Sequence, residues 1–561
     1  MASNPITNVA QKLSELAQRY PDKKALVFPR LHGRTLTYQT LNFSELALNV
    51  NRLANAFQNL GLVKGDRVMV MIPISIELYL VLIALLKMGA IAVFIDPWVG
   101  REQVARCCQL TQPKAFIGVF KAHLLRLFSP AIRKIPIQIV TGGPALLGEP
   151  KLENLLRAGT SEFQTVSVST EDPALITFTT GSTGIPKGAQ RTHGFLMAQH
   201  EVLSAHLGLL PSDIDLPSLP VFVLNNLANG ITSIFPLMNP LKPSEINPAW
   251  VVHQIKEFKV TTSAGSPAFF GSIAHYCLAQ DIKLESVRAI FTGGAPVRPE
   301  LIEALRKILP NGTAYVVYGS TEAEPISMIS AQDILNETAQ LTKQGKGNCV
   351  GQPVEEIDVR IIKISDNSIN FKDWESLSQP AGAIGEIVVT GHHVNKTYYK
   401  NPEAVRENKF QDDQGDIWHR TGDTGYFDAK GRLWLMGRVK NRVIRAGHEL
   451  HPLQIEPVVD QLDFVERSAL IGVSDAKLDQ RAVLIVETKE KNFFKRFSRE
   501  RSWRTQIETL CQQKDFPLDE IHFCQKIPVD PRHNAKIEYS QLRQRYSASS
   551  LRSKSPITLI E

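Results

Sequence analysis

Cysteine is scarce in this chain of 561 residues. The six (Cys107, Cys108, Cys277, Cys349, Cys511 and Cys524) include one adjacent pair and no CxxC spacing. That pattern excludes a disulfide framework and a thiolate metal site, and it leads us to expect reduced thiols in a cytoplasmic protein. Long apolar runs are missing as well. The most apolar region, residues 68–95, is interrupted by Pro73, Glu77 and Lys87, leaving too little uninterrupted length for a span of about 20 residues. It reads instead as a strand over 67–72, a helix over 76–88 and a strand over 91–95. The opening MASNPITNVAQKLSELAQRYPDKKALVF lacks a basic start followed by an apolar core, so no secretory signal is expected. A dominant charge sign is also lacking. A net charge of +7 is too small for a surface that coats nucleic acid, and it fits a local basic patch facing an anionic ligand or a membrane.

What is present is ordinary globular material with a strong rhythm. Hydrophobic residues make up 43% and charged residues 21%, and the length exceeds what one core usually organises, so two or more domains are expected. Apolar β-branched runs, at AFIGVF from Ala115, IQIVTGG from Ile137, LITFTT from Leu175, VRAIFTGG from Val287 and AYVVYGS from Ala314, alternate with helical stretches such as 300–309. Such alternation specifies a layered α/β fold with largely parallel sheets, and ligands gather where those strands end in Gly, Ser and Thr turns. After Gly385 the texture becomes short antiparallel strands, GEIVVTG and then GYFDAKGRLWLMGR with a turn at 428–431. From Arg438 the chain reads as a separate α+β unit with helices over 452–462 and 501–513 and strands over 468–472 and 483–487. The fold class is therefore α/β: a large N-terminal domain (1–437) of layered sheets plus a small β subdomain, and a small mobile α+β C-terminal domain (438–561).

The stretch ITFTTGSTGIPKGAQ, residues 176–190, suggests a phosphate-binding loop but fails the Walker pattern. Pro186 stands where the second glycine belongs, and Gly188 follows Lys187 where Ser or Thr should be. Its chemistry survives that failure: backbone N–H groups freed by glycine, the hydroxyls of Thr179, Thr180, Ser182 and Thr183, and the Lys187 ammonium all suit an anion. A solvated turn after a buried strand has the same composition. The two readings are separated by what lies elsewhere in the chain.

TTGSTGIPKG resembles the signature loop of the adenylate-forming superfamily, which comprises acyl-CoA synthetases, luciferases and nonribosomal-peptide adenylation domains. FTGGAPV from Phe291, YGSTEAE from Tyr318, VGQPV from Val350, GEIVVTG from Gly385, WHRTGDTGYFDAKGRLWLMGR from Trp418 and RHNAKI from Arg532 follow in that family's order. The resemblance implies ATP and Mg²⁺ as cofactors. Thr179, Thr180, Gly181, Ser182, Thr183, Gly184 and Lys187 would grip the β- and γ-phosphates. Gly294, Ala295 and Pro296 would line the adenine slot, and Tyr318, next to Gly319, would lay its ring on the base. Thr321 would donate to the α-phosphate, and Glu322 would hold Mg²⁺. Asp423 would accept from the ribose hydroxyls with Arg438 assisting. Lys536 would approach substrate carboxylate and α-phosphate together; Ala535 departs from the family's Gly-Lys. The implied hinge is Asn441, where Asp or Lys is usual.

The resemblance implies that a carboxylate and MgATP give acyl-AMP and pyrophosphate. Two second steps fit. DLPSLPVFVLNNLANGITSIFP from Asp215 and IPVDPRHNAKI from Ile527 look most like olefin-pathway β-lactone synthetases, and Val223 replaces a His that many acyl-CoA ligases carry. RAGHELHPLQIEP from Arg445 keeps the Gly447, Pro452 and Glu456 of thioester-forming relatives, which favours a fatty-acid CoA ligase using CoA. Phe222, Leu224, Leu227, Phe269 and Phe270 are the candidate acyl pocket; with no Asp or Arg among them, a long apolar, β-hydroxy acid is the expected substrate. A third class, a membrane-surface or interaction protein on a degenerate ligase fold, is suggested by the basic-aromatic KEKNFFKRFSRERSWR from Lys489. A membrane surface and other enzymes of the same pathway are thus the candidate partners besides the acid.

Overall fold

The structure, a computed structural model, describes residues 8–95, 100–178, 186–239, 245–369, 374–530 and 536–547. The apolar region that opens the chain's core folds as its interruptions dictate. Strand Arg67–Met71, helix Ile76–Lys87 and strand Ile91–Ile95 follow one another. Ser75 caps the helix by accepting from Leu78 N at 3.3 Å. The helix is apolar all round because it is enclosed all round, with Tyr79, Val81, Ala84 and Leu85 essentially without solvent. Each such large side chain contributes about 1.5–3 kcal/mol of burial free energy. Lys87 is buried at its end, where its ammonium donates to Asn51 Oδ1 at 2.7 Å and Ser14 Oγ at 3.3 Å. Among the described residues no helix is long and apolar enough to cross a membrane.

Two sheets receive this alternation. Strands Ile137–Thr141, Ala115–Val119, Arg67–Met71, Ile91–Ile95 and Pro173–Phe178 lie parallel, and Gly188–Thr192 closes the edge antiparallel. A larger sheet, 14-stranded among the described residues, runs parallel through Thr262–Gly265, Ala289–Gly293 and Thr313–Ser320, then antiparallel through Ala323–Ser330 and Asn348–Pro353. It continues into Leu433–Arg438, Ile417–Phe427, Gly385–Gly391 and Ile357–Ile362. The small β subdomain read from the sequence joins the larger sheet through one strand. The bridge is strand Asn348–Pro353, and the reason it works is Gly351: φ is +85°, and a Cβ there would stand 2.0 Å from Met328 O. Only glycine lets the two backbones approach so closely.

Beyond Arg438, strands His448–Leu450, Val443–Arg445, Asp479–Thr488 and Val465–Asp475 form a five-stranded sheet with Glu520–Cys524. It has its own core around Leu470, Leu484 and Ile507. The α/β class with a C-terminal α+β unit holds. The expected helix at 501–513 begins earlier, at Phe493, and spans Phe493–Gln512, so the basic-aromatic stretch forms its first turns. Asn492 caps it, accepting from Lys495 N at 3.1 Å; a cap followed by bulky aromatics gave no helical periodicity to read.

Glu456, kept from the thioester-forming pattern, does structural work. It is buried on helix Pro452–Val459, accepting from Leu470 N at 2.9 Å and from the Tyr539 hydroxyl at 2.8 Å. Burial pushes its carboxyl up from 4.5 to about 8, against the hydrogen bonds from Leu470 and Tyr539. Between those two values the folded chain holds a proton that the unfolded chain has lost, so this group's contribution to stability falls as pH rises through that window. Glu456→Gln, neutral at every pH, is expected to flatten the dependence of Tm on pH between about 4.5 and 8 and to raise Tm at the upper end. A melting profile parallel to wild type over that range contradicts this.

Candidate active site

Strand Thr313–Ser320 turns through Thr321 and Glu322 into Ala323–Ser330, and Gly319 permits the turn because a Cβ there would meet Ala323 O at 2.9 Å. A second hairpin, Ile417–Phe427 with Leu433–Arg438, sets Asp423 directly opposite Arg438. The two hairpins meet at one carboxylate. Asp423 Oδ1 accepts from Arg438 Nη1 at 2.9 Å and Oδ2 accepts from the Tyr318 hydroxyl at 2.8 Å. Burial first, then the Asp423 charge, pushes the Tyr318 phenol up, so it stays a donor. Asp423 likewise raises Arg438. The turn at 294–296, with Gly294 and Pro296 exposed and Ala295 half-buried, follows strand Ala289–Gly293, whose Gly293 pairs with Val317, so the turn lies at the strand end beside Tyr318.

Glu322 occupies a second cluster that adjoins the first. Its Oε1 accepts from the Tyr398 hydroxyl at 3.0 Å. Burial pushes its carboxyl up, but the Lys409 charge and the Tyr398 bond outweigh that and hold it below the usual value. Lys409 is buried opposite His419 on paired strands, donates to Asn395 O and lies 5.2 Å from the centre of the Tyr398 ring. Desolvation lowers its ammonium to about 7 against the pull of Glu322; desolvation, then Lys409, lowers His419 to about 3. The imidazole is thus neutral. Glu322 also raises Arg438, so the two clusters share one field. Arg191 Nη2 donates to Thr321 O at 2.9 Å and fixes the turn between them.

The remaining expected residues are placed as follows. Thr179, Thr180, Gly181, Ser182, Thr183 and Gly184 lie outside the described residues. Lys187 pairs with Glu407 at 3.2 Å on the surface, a contact worth about 0–1 kcal/mol. Lys536 is exposed. Its charge reaches Lys440, which is lowered by desolvation first and then by Arg438, Lys536 and Arg543. Asn441 is buried, and its Oδ1 accepts from Arg543 Nη1 and Nη2 at 3.2 and 3.3 Å.

The five expected acyl-pocket residues separate. Phe222 packs with Leu203 and Phe291, and Phe269 and Phe270 sit in a helix-sheet core with ring centres 5.2 Å apart. Leu224 and Leu227 instead line a largely apolar cleft together with Leu13, Ile83 and Leu196. Lys12, Gln199, His200 and Asn225 are its polar lining. His200 Nδ1 and Asn225 Oδ1 are 2.9 Å apart, and Asn225 Nδ2 is buried without a partner. Gln199 donates to Glu324 O at 3.3 Å, tying the cleft wall to the Glu322 strand. Sequence reading missed Tyr398, Lys409, Arg191 and helix Gln11–Arg19, which carries Leu13, as parts of this region. His419 stands inside a quoted motif and could have been found there.

A magnesium ion suits what is present. The described residues contain no cluster of three or more metal-ligating side chains, but Glu322 is an ionised carboxylate, and Mg²⁺ commonly takes one or two carboxylates and completes its shell with phosphate and water. Glu322 would hold it, and it would supply charge neutralisation at the phosphates.

The AMP-binding enzyme family matches residues 13–399. An olefin beta-lactone synthetase of Stenotrophomonas maltophilia (strain K279a) is 34% identical over 95% of this chain and 97% of its own length. The mitochondrial medium-chain acyl-CoA ligase ACSF2 of Mus musculus is 26% identical over 91% of this chain and 82% of its own. The amide bond synthetase McbA of Marinactinospora thermotolerans has the same fold, with a TM-score of 0.78 at 20% identity over 97% of this chain and all of that one.

Lys409 is one of the charges that hold Glu322 down. Lys409→Met is expected to let the Glu322 carboxyl rise, so that the acid limb of ATP-pyrophosphate exchange moves to higher pH. An unmoved limb with an unchanged maximum contradicts a link between the two.

Proposed function

Because the chain belongs to the AMP-binding enzyme family and is an ATP-dependent, AMP-forming ligase, we propose that it activates a long-chain β-hydroxy fatty acid and closes it to a β-lactone. A carboxylate oxygen attacks the α-phosphorus and pyrophosphate leaves. The β-hydroxyl oxygen then attacks the acyl carbonyl, the bond to AMP breaks, and the hydroxyl proton passes to solvent or a base. Asp423 takes the ribose hydroxyls, Tyr318 and the Gly294–Pro296 turn take the base, and Thr321 donates to the α-phosphate. Residues 179–184 and Lys187 take the outer phosphates, with Lys187 released from its weak surface pair. Lys536 screens the approach of two anions, which is what this step demands.

The observation that carries the lactone reading is full-length likeness to olefin beta-lactone synthetases at 34% identity, against 26% for an acyl-CoA ligase. Val223 agrees with it: this residue is fully buried and offers no imidazole where many ligases carry one. The acyl chain is assigned to the cleft at Leu224 and Leu227, whose walls are mostly apolar. One observation favours thioester formation instead. Gly447 has φ +78° and open space around its missing Cβ, room that a pantetheine arm needs. In either reading we take 438–561 as a unit that turns about Asn441.

Incubation of the enzyme with a long-chain β-hydroxy acid and MgATP, with and without CoA, separates the readings by product mass. The expected product without CoA is the acid less one water, formed together with AMP. AMP release that strictly requires CoA contradicts the lactone reading and supports the ligase.

A further inference from the structure

Helix Phe493–Gln512 is anchored by its later turns. Trp503 stacks on Phe464 with ring centres 4.7 Å apart, and Ile507 and Cys511 are buried. Its first turns point away from that core. Phe493, Phe494 and Phe497 are 53, 82 and 70% exposed, and their rings gather, Phe494 and Phe497 lying 5.7 and 6.3 Å from Phe493. Three adjacent phenylalanines in water form a protruding apolar patch that the fold does not need.

The charge around the patch is predominantly positive. Lys489, Lys491, Lys495, Arg499 and Arg501 are exposed. The nearby acids are engaged: Glu500 faces Arg496 at 3.5 Å, Glu490 accepts from Asn492 N at 2.9 Å, and Glu487 pairs with Lys491 at 3.4 Å. The helix N-terminus adds its own partial positive charge at the same place. An apolar wedge ringed by cations complements an anionic surface with hydrocarbon beneath it, the arrangement of helices that lie in a membrane interface.

We propose that the first turns of this helix seat the protein on an anionic lipid bilayer, the three phenylalanines entering the headgroup-acyl boundary and Lys489, Lys495, Arg499 and Arg501 meeting lipid phosphates. The proposal is independent of which product the enzyme makes. The test is co-sedimentation of the full chain with vesicles of phosphatidylcholine alone and of phosphatidylcholine with phosphatidylglycerol. Wild type is expected to sediment with the anionic vesicles, to do so less as salt rises, and to leave the neutral ones in solution. Phe493→Ser/Phe494→Ser/Phe497→Ser is expected to reduce partitioning by roughly tenfold or more, and Lys495→Glu/Arg499→Glu to reduce it too. Both variants should keep wild-type melting and pyrophosphate exchange, since neither set touches the candidate active site. Failure of wild type to bind anionic vesicles, or equal binding by the triple variant, overturns the proposal. So does a triple variant whose only change is loss of self-association, which would make the patch an interface between copies.

Discussion

The structure depends on a single carboxylate held from two sides. Asp423 receives Tyr318 from one hairpin and Arg438 from its own, at 2.8 and 2.9 Å. The Arg438 side chain is more than a third open to solvent, so this ion pair adds little net stability. The bond from Tyr318, rather than the ion pair, joins the hairpin carrying Thr321 and Glu322 to the hairpin that leads into the C-terminal unit.

From that point a line of alternating charge runs outward. Glu322 is kept ionised by the Lys409 charge and the hydrogen bond from Tyr398, and it shares its field with Arg438. Arg438 and Lys536 in turn both act on Lys440 across the boundary of the C-terminal unit. A site with one metal-suited carboxylate and several cations in reach is matched to a polyanion that brings its own oxygen ligands. The apolar cleft beside it, joined through Gln199, supplies the opposite environment. A molecule with a charged head and a hydrocarbon chain could be met by both.

Much of this was legible in the sequence because it depends on local pattern. Strand-helix-strand at residues 67–95 follows from where Pro73, Glu77 and Lys87 fall. Asp423 and Arg438 stand in one hairpin whose turn residues at 428–431 are plain, so their pairing follows from register. Gly351 lies in a motif whose glycine is required by a backbone 2.0 Å from where its Cβ would be. What was not legible depends on partners far apart in sequence. Nothing local marks Lys409 as buried or Tyr398 as a donor to Glu322, 76 residues away. The acyl pocket residues were read from proximity to motifs, and their separation into three packing environments follows from helix orientation, which composition does not encode. The helix beginning at Phe493 was hidden by its own exposed aromatics, which break the amphipathic period used to find helices.

The central claim is that the carboxylate joining the two hairpins is where the nucleotide is held. Calorimetric titration of AMP into wild type and Asp423→Asn tests it directly, because the amide keeps the shape of the side chain and removes the charge that accepts from ribose. Loss of a hydrogen-bonded charge predicts an affinity weaker by roughly 10- to 100-fold with little change in melting temperature. Unchanged affinity for AMP in a well-folded variant would contradict the account.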